Sequence, residues 1–191
     1  MSNLVIIGAN NFQLPLILKA RELGFETHVF AWEAGAVGRE FAGVFYPVSI
    51  IEKEKIFAIV RDLDPAGVLS IGSDLASITV NYLTEKLGLT GNSTESTRLS
   101  TNKFLMRERL SSAGVPCPGF VKFTGGDPLT ATAKLDFPVV VKPTDRSGSR
   151  GVTKVEEKSS LAAAIDRALE ESFARECVIE EFITGREFSV E

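Results

Sequence analysis

VVVKPTDRSGSRGV, residues 139–152, joins a strongly apolar run to a lysine, a proline and a polar loop that carries glycine. Lys142 ends a stretch, PVVV, that is too apolar to be a solvated surface. A lysine in such a place bears a desolvation cost unless an anion lies beside it. The loop after it holds Ser147, Gly148, Ser149 and Gly151. Small residues let backbone N–H groups come close to a ligand and surround anionic oxygens. Arg146 and Arg150 add positive charge, with no partner evident in the sequence. The loop is not of Walker type, because GxxxxGK[ST] does not occur. Taken alone, a plain hairpin connection is the alternative reading. As an anion loop, 144–151 is expected to be mobile without its ligand.

The composition narrows the class. The chain has 191 residues, 44% apolar and 24% charged, with a net charge of −4. This is ordinary for a globular protein, with length for one large unit or two small ones. An acidic chain is poorly suited to nucleic acid or to an anionic membrane surface. No apolar run approaches the roughly 18 residues that span a bilayer. The start, MSNLVIIGA, reads as a first strand and not as a signal peptide. Cys117 and Cys177 form neither a metal spacing nor a disulfide framework, which implies reduced thiols and a cytoplasmic location. The lone histidine, His28, lies in an apolar run and is read as a core or surface residue, not a ligand. The sequence breaks off at REFSVE inside an expected strand, so further sequence is expected beyond Glu191.

Working outward from the loop, the earlier half alternates strands and helices. Strands are expected at 4–7, 27–30, 44–48 and 67–71, with apolar helical faces at Leu14/Ile17/Leu18, at Ile56/Ile59/Val60/Leu63, and at Leu75/Ile78/Thr79/Tyr82/Leu83. That alternation predicts parallel strands joined by right-handed crossovers, a doubly wound α/β unit over residues 1–92. GNSTES at 91–96 reads as a turn cluster and a boundary. After it, a helix is expected at 102–113, stopped by Gly114, Pro116 and Pro118. Strands at 119–123, 137–143, 151–155 and 177–183 and a helix marked by Leu161, Ala164, Ile165, Ala168 and Leu169 give residues 93–191 an α+β pattern.

GANNFQ, residues 8–13, lies where a dinucleotide fingerprint would lie, between a strand and a helix. Only Gly8 is present; Asn10 and Gln13 stand where the second and third glycines belong. A βα turn needing one glycine is the preferred reading, although a crevice at the strand ends can still take a small molecule. At the other end, IEEFITGREFSVE, residues 179–191, places Glu180 and Glu181 at a strand end, followed by a turn at Gly185 and an alternating strand. This suits a backbone crossing with free N–H and C=O groups beside carboxylates, which an adenine edge and ribose hydroxyls require. The alternative for Glu180, Glu181 and Glu187 is a solvated strand edge.

The order NKFLMRERLSSAGVPCPGF, FPVVVKPTDRSGSRGV, VIEEFITGREFSVE resembles the ATP-grasp superfamily, which includes biotin carboxylase, the large subunit of carbamoyl phosphate synthetase and D-alanine–D-alanine ligase. The resemblance implies a Rossmann-like α/β domain that precedes the grasp, then the N-terminal part of the grasp itself. It implies roles by position. Lys103 reaches nucleotide phosphates, and Lys142 contacts the α/β-phosphates and the adenine side. Ser147, Gly148, Ser149 and Gly151 belong to a mobile loop over the β- and γ-phosphates. Glu180 lies by the adenine amino group, Glu181, Phe182 and Ile183 supply the hinge backbone, and Glu187 binds ribose. The implied cofactors are ATP and Mg2+, with the magnesium ligands and the catalytic arginine beyond residue 191 and no metal ligand within the chain. The implied chemistry activates a carboxylate as an acyl phosphate for attack by an amine, in the manner of carbamoyl phosphate synthetase, with no turnover expected from residues 1–191 alone. Small-molecule carboxylates and amines are the expected partners, without nucleic acid or membrane, and a homodimer is an assembly open to it. A non-catalytic nucleotide-binding or folding module is the alternative.

Overall fold

The computed structural model describes residues 2–188, which divide into two compact units, Met1–Thr101 and Asn102–Glu191. In the first, β1 (Asn3–Ile7), β2 (Glu26–Phe30), β3 (Val44–Tyr46) and β4 (Gly67–Leu69) form one sheet in the order β3-β2-β1-β4. Every pairing in it is parallel, with Val5 opposite His28 and Val68. α1 (Leu14–Glu22), α2 (Lys53–Val60), α3 (Asp74–Leu87) and α4 (Thr94–Thr101) complete the unit.

The apolar run of β1 is continuous because both of its faces are covered. Leu4 and Ile6 join Ile17 and Ala20 of α1 in one core. Val5 and Ile7 join Ile56 and Val60 of α2 and Leu83 of α3 in the other. Helices on both faces of a parallel sheet make this the doubly wound unit that the alternation predicts. His28 is buried, and its Nδ1 lies 3.0 Å from the Tyr46 hydroxyl. Burial pushes its imidazole pKa down against a smaller upward pull from Glu26.

GNSTES corrects one expectation. It is not a turn between units but the cap and first turn of α4. Ser93 Oγ accepts from Ser96 N at 3.1 Å, the bond that satisfies an otherwise orphaned helical amide. Asn81 of α3 donates to Thr97 Oγ1 at 2.8 Å and accepts from Asn92 N at 3.2 Å, so α4 is tied to α3. As a compact unit, the first half runs to Thr101.

The second unit runs α5 (Lys103–Ser112), β5 (Phe120–Phe123), the single-turn α6 (Pro128–Ala131), β6 (Val139–Pro143), β7 (Thr153–Val155), α7 (Leu161–Glu171) and β8 (Cys177–Glu181). Its sheet has the order β5-β8-β6-β7, antiparallel throughout. Alternation sorts the side chains. Val139, Val141, Cys177 and Ile179 face one side and pack with Leu161, Ala164, Ile165 and Ala168 of α7. Each fully buried aliphatic side chain there contributes about 1.5–3 kcal/mol. Val140, Lys142, Val178 and Glu180 face the other side, where Phe104 of α5 meets Phe120 edge-on at 5.8 Å between ring centroids. The sheet is thus covered by α7 on its apolar face and by α5 on the face that carries Lys142 and Glu180. Residues 186–188 are irregular, and the remainder of the expected last strand, 189–191, lies outside the described residues.

Candidate functional site

The anion beside Lys142 is Glu180. Val140 pairs with Glu180 and Lys142 with Val178, which sets Lys142 and Glu180 on a diagonal of one sheet face. Lys142 Nζ donates to Glu180 Oε2 at 2.6 Å. α5 brings a second cation: Arg107 Nε lies 2.9 Å from Glu180 Oε1, and its NH2 lies 3.3 Å from Oε2. The Glu180 side chain is 5% exposed, against 18% for Lys142 and 24% for Arg107. Burial alone pushes the Glu180 carboxyl up, but hydrogen bonds from Arg107 and Lys142 outweigh it and hold the group below the usual carboxylate range. The Arg107 guanidinium is correspondingly held further up by its bond to Glu180. Sequence reasoning missed Arg107. The available signal was its spacing from Lys103, four residues on a helix, which places both on one face.

The Gly/Ser loop has two parts. Its base, 144–146, is anchored. Thr144 O accepts from Lys103 N at 2.9 Å, and Asp145 Oδ2 accepts from Ala174 N at 2.8 Å. Lys103 Nζ also donates to the Arg146 carbonyl. Arg146 is not unpartnered, as the sequence suggested: it meets Glu171 at 3.3 Å and lies over the Phe173 ring at 4.4 Å. The crest, Ser147–Arg150, is exposed, and Arg150 makes no ion pair among the described residues. Gly148, Ser149 and Gly151 all have positive φ, which turns the crest back toward β7. Thr144 Oγ1, Asp145 Oδ1, Arg146 Nε and Thr153 Oγ1 are buried without a hydrogen-bond partner. The two threonine hydroxyls and Arg146 Nε can donate to an anion, whereas the Asp145 oxygen only accepts.

The other expected site residues are placed less tightly. The Glu181 carboxylate accepts from Gly119 N at 3.0 Å and Asp136 N at 3.1 Å. The amides of Glu181 and Phe182 are not free donors, as expected for a hinge: they bond Gly119 O and Pro138 O, each at 2.9 Å. The chain here is fastened to the neighbouring loops before it leaves the sheet. Lys154 lies over the Phe182 ring at 4.0 Å, while Ile183 and Glu187 are exposed. Among the described residues, no group of three or more His, Cys, Asp or Glu side chains is arranged to hold a metal ion.

A separate crevice of about 240 Å³ opens in the first unit at the C-terminal ends of the strands. Gly8, Asn10, Gln13, Trp32, Ile50 and Ser73 are among its lining residues, none of them ionisable. Gln13 is 1% exposed, accepts from Asn10 N at 3.3 Å and donates to Ile71 O. Gly8 has φ +101°, and a Cβ there would lie 2.8 Å from Gln13 Oε1. The glutamine side chain fills the space that a third fingerprint glycine leaves open for helix packing. GANNFQ is the one-glycine turn.

With this geometry, the matches to known proteins fall into place. Residues 110–191 match the family model for the D-ala D-ala ligase C-terminus. A D-alanine–D-alanine ligase from Hydrogenovibrio crunogenus is 35% identical over 104 residues, 54% of this chain and 33% of that protein. The L-amino acid ligase of Bacillus licheniformis superposes with a TM-score of 0.72 and 25% identity, over 97% of this chain and 45% of that one. The biotin carboxylase domain of the Hydrogenobacter thermophilus 2-oxoglutarate carboxylase, solved with MgADP and bicarbonate, superposes with a TM-score of 0.72 at 17% identity, over 94% of this chain and 44% of that one. Over nearly its whole length the chain has the fold of the ATP-grasp ligases, and residues 110–191 carry the ligase family match. It matches about a third of the length of the curated ligase, 33%, and about half of the solved ones.

Proposed function

We propose that this chain is the ATP-binding front portion of a ligase that joins a carboxylate to an amine. The observation that carries the reading is the lysine pair at the glycine loop. Lys142 rests on a carboxylate that a second cation also holds, and Lys103 fastens the loop base from α5. The ADP-bound relative and the ligase match support the same nucleotide.

In this reading, Lys142 and Lys103 neutralise phosphate charge, and the Ser147, Gly148, Ser149 and Gly151 crest closes over the β- and γ-phosphates with its backbone amides. Glu180 faces the adenine amino group, Glu181, Phe182 and Ile183 border the base, and Glu187 reaches the ribose. A substrate carboxylate oxygen forms a bond to the γ-phosphorus and ADP departs. The amine then bonds to the acyl carbon, phosphate departs, and a proton is released. Positioning and charge neutralisation supply most of the acceleration in such transfers. Magnesium, when bound, screens the phosphate oxygens, and its ligands are proposed to lie beyond residue 191. The crevice without ionisable lining suits an uncharged part of a substrate. The D-alanine–D-alanine ligase match favours an amino-acid carboxylate, and a carbamoyl phosphate synthetase-like reaction is the second form of the proposal. A cytoplasmic setting and small-molecule partners belong to the same proposal. Among the described residues, no helix is long and apolar enough to cross a membrane.

The test is ADP release by the protein that carries this chain, screened over pairs of amino acids. Release that requires both a carboxylate and an amine supports the ligase. Nucleotide binding with no release for any pair favours the non-catalytic module.

A further inference from the structure

Glu180 is held by two cations, and the two contacts differ in kind. Arg107 meets it as a fork, Nε on Oε1 at 2.9 Å and NH2 on Oε2 at 3.3 Å. Lys142 meets it at one point, Oε2, at 2.6 Å. A guanidinium fork fixes both the position and the plane of a carboxylate. An ammonium is a compact charge on a flexible stem, with three donors that can turn elsewhere. Arg107 also comes from a helix laid against the sheet face, whereas Lys142 stands on the strand that runs into the loop.

We propose that Arg107 is a positioning residue that makes the Glu180–Lys142 contact exchangeable. It holds and neutralises Glu180, so that Lys142 can leave the carboxylate for a nucleotide phosphate. The inference rests on the ATP reading above. The charges show why two cations are needed. With Arg107 in place, departure of Lys142 leaves a neutral, forked pair behind it. Without Arg107, departure of Lys142 leaves a carboxylate that is 5% exposed and has no counter-ion. That cost keeps the lysine where it is and turns Glu180 into an internal competitor of the phosphate. One residue that touches no nucleotide therefore sets how available the strand-end lysine is.

The experiment follows the Lys142 ammonium by nitrogen-detected NMR while ATP is added to the protein, the signal being assigned by its loss in Lys142→Ala. In wild type, the signal moves from its carboxylate-bound position and saturates. In Arg107→Gln, the ATP concentration for half the shift rises about tenfold, the loss expected for one charge-assisted contact. Arg107→Lys restores the charge without the fork, and its half-shift rises only about threefold. Urea denaturation of the same samples reads stability separately. A merely structural Arg107 lowers the urea midpoint and leaves the half-shift unchanged, which overturns the inference. Should Arg107→Gln fail to fold, Arg107→Lys decides: a half-shift equal to that of wild type overturns the inference. A Lys142 signal in wild type that ATP does not move overturns the nucleotide reading itself, and this inference with it.

Discussion

Glu180 on β8 and Lys142 on β6 stand diagonally across one face of the second sheet, Oε2 and Nζ 2.6 Å apart. Diagonal neighbours in an antiparallel pair are within reach of long side chains, so this contact follows from the strand register. It explains how an apolar strand tolerates a lysine. The compensating charge is built into the next strand, and Arg107 keeps that charge from being used up.

The ion-pair cluster makes acid stability depend on Glu180. Its carboxyl pKa is depressed in the fold, because bonds from Arg107 and Lys142 outweigh burial. The stabilisation is therefore complete above the unfolded glutamate value and is lost as pH falls through the folded pKa, starting below about pH 5. Urea midpoints measured down the acid limb should fall in wild type and fall less in Glu180→Gln. Parallel curves would mean that Glu180 does not titrate with folding.

Loss of Arg107 should cost about 1–3 kcal/mol at neutral pH, read by urea denaturation of Arg107→Met. The figure is below that for a fully buried pair because both cations retain some exposure and Lys142 still serves Glu180. No measurable cost would show that the fork adds nothing to the fold.

Two glycines of the loop should respond differently to alanine. Gly148 and Gly151 share φ +67°, which an L side chain rarely adopts. At Gly148 nothing lies within 4 Å of an added Cβ, so Gly148→Ala should cost about 1 kcal/mol, the backbone term alone. At Gly151 the Cβ would lie 2.9 Å from Pro143 Cγ and 3.1 Å from Glu171 Cβ, both held by packing. Gly151→Ala should cost clearly more. Equal costs would contradict the described close approach.

Mobility should be confined to the crest. Amides 147–150 should exchange hydrogen quickly and trypsin should cut after Arg150, whereas the Thr144 amide, bonded to Glu176 O at 3.2 Å, should be protected. ATP should slow both. Uniform protection of 144–151 without nucleotide would contradict the expected mobile loop.

Cys177 reports on the second core. It is fully buried between β8 neighbours, and burial pushes its thiol up to about 12. A disulfide reagent should modify the half-buried Cys117 first and reach Cys177 only on unfolding. Equal rates would show that this sheet opens readily.

Much of this was legible in the sequence. β1, β2, β6 and β8 announce themselves as short β-branched runs, and α7 through Leu161, Ala164, Ile165 and Ala168 at helical spacing. α4 was not, because TESTRLST has no apolar stripe; its helix is held by polar bonds to Asn81 and Glu85 and by the Ser93 cap. Lys142 and Glu180 were each picked out as site residues, but not as each other's partner. Their pairing depends on strand register, which sequence spacing leaves open, and on α5 lying over that face. Arg146 read as free because Glu171 and Phe173, which hold it, are 25 or more residues away in the chain.

The most direct measurement is a calorimetric titration of ATP into the protein as wild type, Lys142→Ala and Lys142→Arg. The account predicts that alanine weakens binding by about ten- to a hundred-fold, the loss of roughly 1.5–3 kcal/mol from one charge-assisted phosphate contact. Arginine should recover only part of it, because a wide planar guanidinium replaces a compact ammonium at the end of a tight strand. If Lys142 serves only as a counter-ion to Glu180, all three proteins bind ATP equally, and that result would contradict the placement of the nucleotide phosphates at this strand end.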